Sequence, residues 1–207
     1  MALHDISQIL RPALPVWPGD TAFSAERTWD HGATPVAVSR FAMSTHGGTH
    51  ADAPLHYAAG AEPIDALDLE PYLGPARVVD ARGQGPAVTA AWLGPHLKGA
   101  PPRVLLRTFD RFPRDAWTSD FTAVAPDAIR LLASCRALLI GTDAPSIDPE
   151  QSKTLDAHRA VLSTGLRILE GLVLDDVPAG DYELIALPLR LAGLDAAPVR
   201  AMLRDLP

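Results

Sequence analysis

Twenty prolines in 207 residues constrain this chain more than any other feature, because each removes a backbone donor and breaks a helix interior. The chain must therefore be assembled from short elements. Residues 14–20 (Leu-Pro-Val-Trp-Pro-Gly-Asp) cannot be helix interior and predict an ordered loop carrying one exposed or half-exposed tryptophan, Trp17. Apolar runs predict a strand over 35–44, with Val36, Val38 and Phe41 expected in the core, and further strands over 76–79, 103–107, 137–140 and 181–187. Helices are predicted over 89–96 behind Thr89, 127–133 behind Pro126, 155–162 behind Thr154, and 198–203 with Pro198 in its first turn. Residues 165–174 fit a helix or a strand. This irregular alternation predicts an α/β fold with a mixed sheet, not a doubly wound one, with residues 1–207 forming one domain. No glycine-rich dinucleotide or phosphate loop occurs.

Composition narrows the function classes. With 47% hydrophobic and 21% charged residues the chain can bury a core. A formal net charge of -7 and the lack of a basic stripe exclude a broad phosphate-binding surface, so no nucleic-acid partner is expected. Cys135, the one cysteine, cannot form an internal disulfide, and its apolar run predicts a buried, inert thiol. The start, Met1-Ala2-Leu3-His4-Asp5, has no signal-peptide pattern, and no apolar stretch approaches the ~20 residues of a membrane span. A cytoplasmic protein with no membrane partner is expected.

The chemistry concentrates in His46-Gly-Gly-Thr-His50-Ala-Asp52-Ala-Pro-Leu-His56. Imidazole and carboxylate together suit zinc or manganese. Gly47-Gly48 and Pro54 disfavour a helix, whereas an extended segment would turn the even-numbered His46, His50 and Asp52 to one side. His56 shares that parity but lies beyond Pro54, so it is expected near a metal without binding it. The competing reading, scattered surface histidines, leaves the clustering unexplained. Farther along stand His158, on a predicted helix, and Glu170, in an apolar run where an unpaired carboxylate is costly. A cation would offset that cost; so would a salt bridge to Arg159 or Arg167. The residues alone leave that choice open.

The segment His46–His56 resembles the His-x-Gly-Thr-His-x-Asp-x-Pro-x-His motif of the cyclase-like metal hydrolases. The wider chain is similar to the bacterial kynurenine formamidase (arylformamidase) branch of that family. The likeness runs through Pro15–Asp20, Tyr57, Gly141–Ser146, Ser152–His158, Leu169–Asp176 and Gly180–Leu189. It implies a cyclase-like swivelling β/β/α fold, with a mixed sheet or barrel-like core flanked by helices. It implies two divalent metal ions, zinc first and manganese as the second choice. His46, His50 and Asp52 would hold one ion; Asp52 would bridge to the other, with His158 on that second ion and Glu170 touching both. His56 would be the proton donor and acceptor, and Trp17 would line the substrate pocket. Thr142, Asp143 and Ser146 either orient the ligand histidines or form turns and caps. The implied reaction is hydrolysis of N-formyl-L-kynurenine to L-kynurenine and formate, in tryptophan catabolism, by a homodimer. A related hydrolase of another small amide, lactone or cyclic imide is the alternative. A non-catalytic metal protein on the same scaffold is the third reading.

Overall fold

The short apolar runs between the prolines pair edge to edge. In the computed structural model, which describes residues 1–207, the strands are β1 (Leu3–Asp5), β2 (Ser24–Trp29), β3 (Val38–Ala42), β4 (His50–Asp52), β5 (Leu73–Asp80), β6 (Ala87–Val88), β7 (Arg103–Arg107), β8 (Ala123–Val124), β9 (Leu139–Thr142), β10 (Arg167–Glu170), β11 (Gly180–Ile185), β12 (Ala196–Pro198) and β13 (Met202–Asp205). The α-helices are α1 (Pro54–Tyr57), α2 (Ala90–Leu93), α3 (Pro126–Ser134) and α4 (Asp156–Thr164). No helix is long and apolar enough to cross a membrane.

Nine strands form one mixed sheet in the order β1-β13-β11-β5-β7-β9-β10-β4-β12, curled into a half-barrel. Its centre, β5-β7-β9-β10, is parallel, and antiparallel strands continue it on both sides. β7 and β9, in the middle of the sheet, are buried on both faces, which is why they read as apolar runs. In β7, Val104 and Leu106 pack with Ile129 and Leu132 of α3 and Ala157 and Val161 of α4. Leu105 between them points to the other face, with Ile6, Tyr72, Leu184 and Leu203. Residues 165–174 resolve the same way: β10 puts Ile168 in one core and Leu169 in the other.

Three expectations need correction. The helix expected over 198–203 is absent, because Ala196–Pro198 pairs with the edge of β4 and Met202–Asp205 pairs with β11 and β1. Sheet pairing there outweighs local propensity. Val36, Val38 and Phe41 are not core: they are 47%, 41% and 63% exposed. The strand they mark belongs to a β2–β3 hairpin that stands apart from the main sheet. Cys135 is exposed, not buried, because it caps the end of α3 and Arg136 turns the chain with φ +61°. The helices around 89–96, 127–133 and 155–162 form within a few residues of their expected limits.

Candidate metal centre

Strand pairing brings the two distant parts of the sequence together. β4 lies antiparallel to β10 in a register that sets His50 directly opposite Glu170. The two-residue period of the strand turns Asp52 to the same side as His50, and α4 supplies His158. His50 Nε2 stands 3.4 Å from Asp52 Oδ1 and 3.5 Å from Glu170 Oε2. His158 Nε2 stands 3.4 Å from Asp52 Oδ2 and 3.7 Å from Glu170 Oε1. All four residues are buried, at no more than 3% exposure. Yet His50 Nε2, both Asp52 oxygens and His158 Nε2 have no hydrogen-bond partner. These atoms approach one another off-axis, as groups aimed at a common point do. Two ligand atoms about 2.0–2.1 Å from a tetrahedral zinc lie roughly 3.3 Å apart, close to the spacings found. Nitrogen and carboxylate donors at these distances fit a divalent cation, which would satisfy atoms otherwise costly to bury. Neither arginine considered as a partner for Glu170 serves it; Arg167 pairs with Glu62 instead.

The ring nitrogens not facing the cluster are held from behind. His50 Nδ1 lies 3.0 Å from the Gly48 carbonyl, and Glu170 Oε1 accepts the Ile147 N–H at 2.8 Å. His158 Nδ1 lies 2.7 Å from Asp148 Oδ2. Asp148 also accepts the free N–H groups of Ala157 and His158, each at 3.0 Å. It thereby caps α4, whose preceding residue Leu155 is left-handed and offers no side-chain cap. Asp148 escaped the sequence analysis. Its one signal is an acid before a proline, between a predicted strand and a predicted helix. Burial drives the His50 and His158 pKa values down, but Asp52 with Glu170 at His50, and Asp148 with Asp52 at His158, outweigh it. Both rise to about 10. Burial raises Asp52, and the surrounding imidazoles reverse this and hold it well below the usual carboxylate range. A cation would compete with the protons these carboxylates attract.

His46 does not share strand β4, so alternation along a strand does not bring it here. The turn through Gly47 and Gly48 (φ +73°) does. Its Nδ1 lies 3.0 Å from Asp52 Oδ1, and its Nε2 lies 3.0 Å from Asp195 Oδ2. His56 sits on α1, which Pro54 starts; its ring centroid is 4.1 Å from that of His46 and 5.8 Å from that of His158. Burial lowers the His56 pKa, and the nearby carboxylates do not overcome it. A lowered pKa favours the neutral imidazole, the form that can accept a proton. His46, Asp52 and His56 form a second set of donors close enough to share an ion.

His46, His50, His56, His158 and Glu170 line a cavity of about 360 Å³. Trp17 lines it and meets Trp117 edge to face with centroids 5.3 Å apart. Phe109 and Phe112 complete an aromatic wall that the sequence did not reveal. Asp143 fixes that wall: it accepts from the Thr108 and Phe109 N–H groups and the Thr108 hydroxyl. Thr142 Oγ1 accepts from Ala144 N–H, and Ser146 Oγ from Asp148 N–H. Thr142 and Ser146 thus close local turns, Asp143 anchors a loop distant in sequence, and none of the three bonds a histidine of the cluster.

Comparison with known proteins agrees with this geometry. The sequence model of the Cyclase family matches residues 4–149. A solved structure described as a potential metal-dependent hydrolase with cyclase activity is 32% identical, over 100% of this chain and 98% of its own, with a TM-score of 0.86. A predicted metal-dependent hydrolase from Bacillus stearothermophilus is 32% identical, over 98% and 97%, with a TM-score of 0.82. Isatin hydrolase A from Labrenzia aggregata, bound to benzyl benzoate, is 26% identical over 100% and 94%, with a TM-score of 0.81.

Proposed function

Because this chain belongs to the Cyclase family, among whose solved relatives are metal-dependent hydrolases, we propose that it is an arylformamidase, hydrolysing N-formyl-L-kynurenine to L-kynurenine and formate. The observation that carries the reading is the set of unpartnered, buried donor atoms of His50, Asp52 and His158 at the base of an aromatic-walled cavity. His46, His50, Asp52, His158 and Glu170 are the proposed ligands of two divalent ions, zinc or manganese. Such ions supply Lewis acidity, polarising a carbonyl and acidifying a water.

The chain's own residues account for the remaining work. Trp17, Phe109 and Trp117 give a planar aryl group apolar surface and exclude water from it. The neutral His56 imidazole takes a proton from the attacking water as oxygen adds to the formyl carbon. It returns that proton to the anilide nitrogen as the carbon–nitrogen bond breaks, so water is consumed and formate and amine leave. On the resemblance to the kynurenine formamidase branch, the working unit is a homodimer.

The likeness to an isatin hydrolase favours a second reading, hydrolysis of a cyclic amide or another small amide or lactone. The ligands serve the water in either case, so the cavity wall must discriminate. Turnover of N-formylkynurenine, isatin and a small aliphatic formamide by wild-type and Trp17→Ala protein separates the two. The arylformamidase reading expects N-formylkynurenine to be the best substrate and Trp17→Ala to damage it more than the aliphatic formamide. Faster turnover of isatin would reassign the substrate.

A further inference from the structure

Asp195 stands where one carboxylate reaches two of the site's histidines. It precedes β12, the edge strand added to β4, in which Ala196 pairs with Asp52 and Pro198 with His50. Its backbone carbonyl accepts the Ala53 N–H at 2.9 Å. That bond ties it to the segment between Asp52 and His56. Its side chain turns back over the same segment. Oδ1 accepts the Thr45 hydroxyl at 3.1 Å, and Oδ2 lies 3.0 Å from His46 Nε2 and 3.7 Å from His56 Nδ1. The first Oδ2 contact is a hydrogen bond; the second, at 3.7 Å, is beyond hydrogen-bond reach.

The hydrogen bond has a consequence for the His46 ring. A carboxylate only accepts, so the proton of a neutral His46 sits on Nε2 and the lone pair is left on Nδ1. Nδ1 is the atom 3.0 Å from Asp52 Oδ1. His50 and His158 are held the other way round: their Nδ1 atoms face the Gly48 carbonyl and Asp148, and Nε2 faces the cluster. We propose that Asp195 is a positioning residue. It fixes His46 in the Nε2–H form, so that this histidine, unlike the other two, presents Nδ1 to the metal. The inference rests on the metal reading of the site. It assigns Asp195 the role of the acceptor that orients a ligand imidazole and raises its basicity.

The test uses zinc-loaded wild-type, Asp195→Ala and Asp195→Asn proteins. Zinc affinity is measured by chelator competition, metal-free melting by calorimetry, and histidine tautomers by nitrogen-15 NMR of histidine-labelled protein. The expected wild-type spectrum has one histidine coordinated through Nδ1 with a protonated Nε2, and two coordinated through Nε2. Asp195→Ala is expected to weaken zinc binding by about 10–100-fold. Asp195→Asn should recover much of that loss, since its amide oxygen still accepts the Nε2 proton. Coordination of His46 through Nε2 in wild-type protein would overturn the proposal. So would wild-type zinc affinity in Asp195→Ala, including the case where only metal-free melting falls. If Asp195→Ala does not fold, the wild-type spectrum and the Asp195→Asn affinity decide. Wild-type protein that binds no zinc sinks the metal reading and this inference together, an outcome distinct from equal affinities in all three proteins.

Discussion

The Asp148 carboxylate accepts from Ala157 N–H, His158 N–H and His158 Nδ1 through both of its oxygens. One side chain thus caps a helix and aims an imidazole, so the cost of ordering it is shared between fold and site. An amide at this position offers a donor where one acceptor is required. Asp148→Asn should therefore lower stability by about 1–2 kcal/mol and weaken metal binding by about 10–100-fold, read by urea denaturation and chelator competition. Unchanged metal affinity in a correctly folded variant would remove Asp148 from the site. Gly171, next to Glu170, shows the same tight coupling of backbone and ligands. At φ +64°, a Cβ there would meet the Gly48 carbonyl oxygen at 2.7 Å, the acceptor that holds His50.

Among the elements, the β2–β3 hairpin stands out because every residue of both strands is exposed. Apolar groups occupy both its faces: Phe23 stacks on Phe41 with centroids 6.0 Å apart, and Trp29 pairs with Val38. A lone two-stranded ribbon is marginal in water, and a second copy of the chain in the proposed homodimer would give this one cover. The paired change Trp29→Ser with Phe41→Ser should then shift the solution mass by light scattering from dimer to monomer while leaving the fold intact. A monomeric wild-type protein would count against the dimer. The same hairpin shows what the sequence could and could not disclose. Its second strand, Val38–Ala42, falls within the expected 35–44, but its exposure was not legible, because an apolar, β-branched run marks a strand whether or not another surface covers it. The parallel strands β7 and β9 were legible because two-sided burial writes an apolar run. The terminal strands β12 and β13 were not, because partners far away in sequence define them. In the site, the clustered His46–His56 motif was visible, whereas Asp148 and Asp195 are single acids whose meaning comes only from the histidines they face.

At the scale of the whole molecule, the curled sheet explains how candidate ligands more than 100 residues apart in sequence come together. Parallel β9 and β10 carry the chain to the site, β4 crosses antiparallel beside β10, and α4 packs on the sheet face behind them. His50, Asp52 and Glu170 therefore sit on paired strands and His158 on a packed helix, while the cavity above is walled by loops that can differ between relatives without disturbing the cluster. The central claim is that this cluster holds catalytic cations. Elemental analysis of purified protein, paired with turnover of N-formylkynurenine before and after chelation, tests it most directly. The account predicts two divalent ions per chain, loss of activity as they are stripped, and recovery with zinc or manganese; full activity in metal-free protein would contradict it.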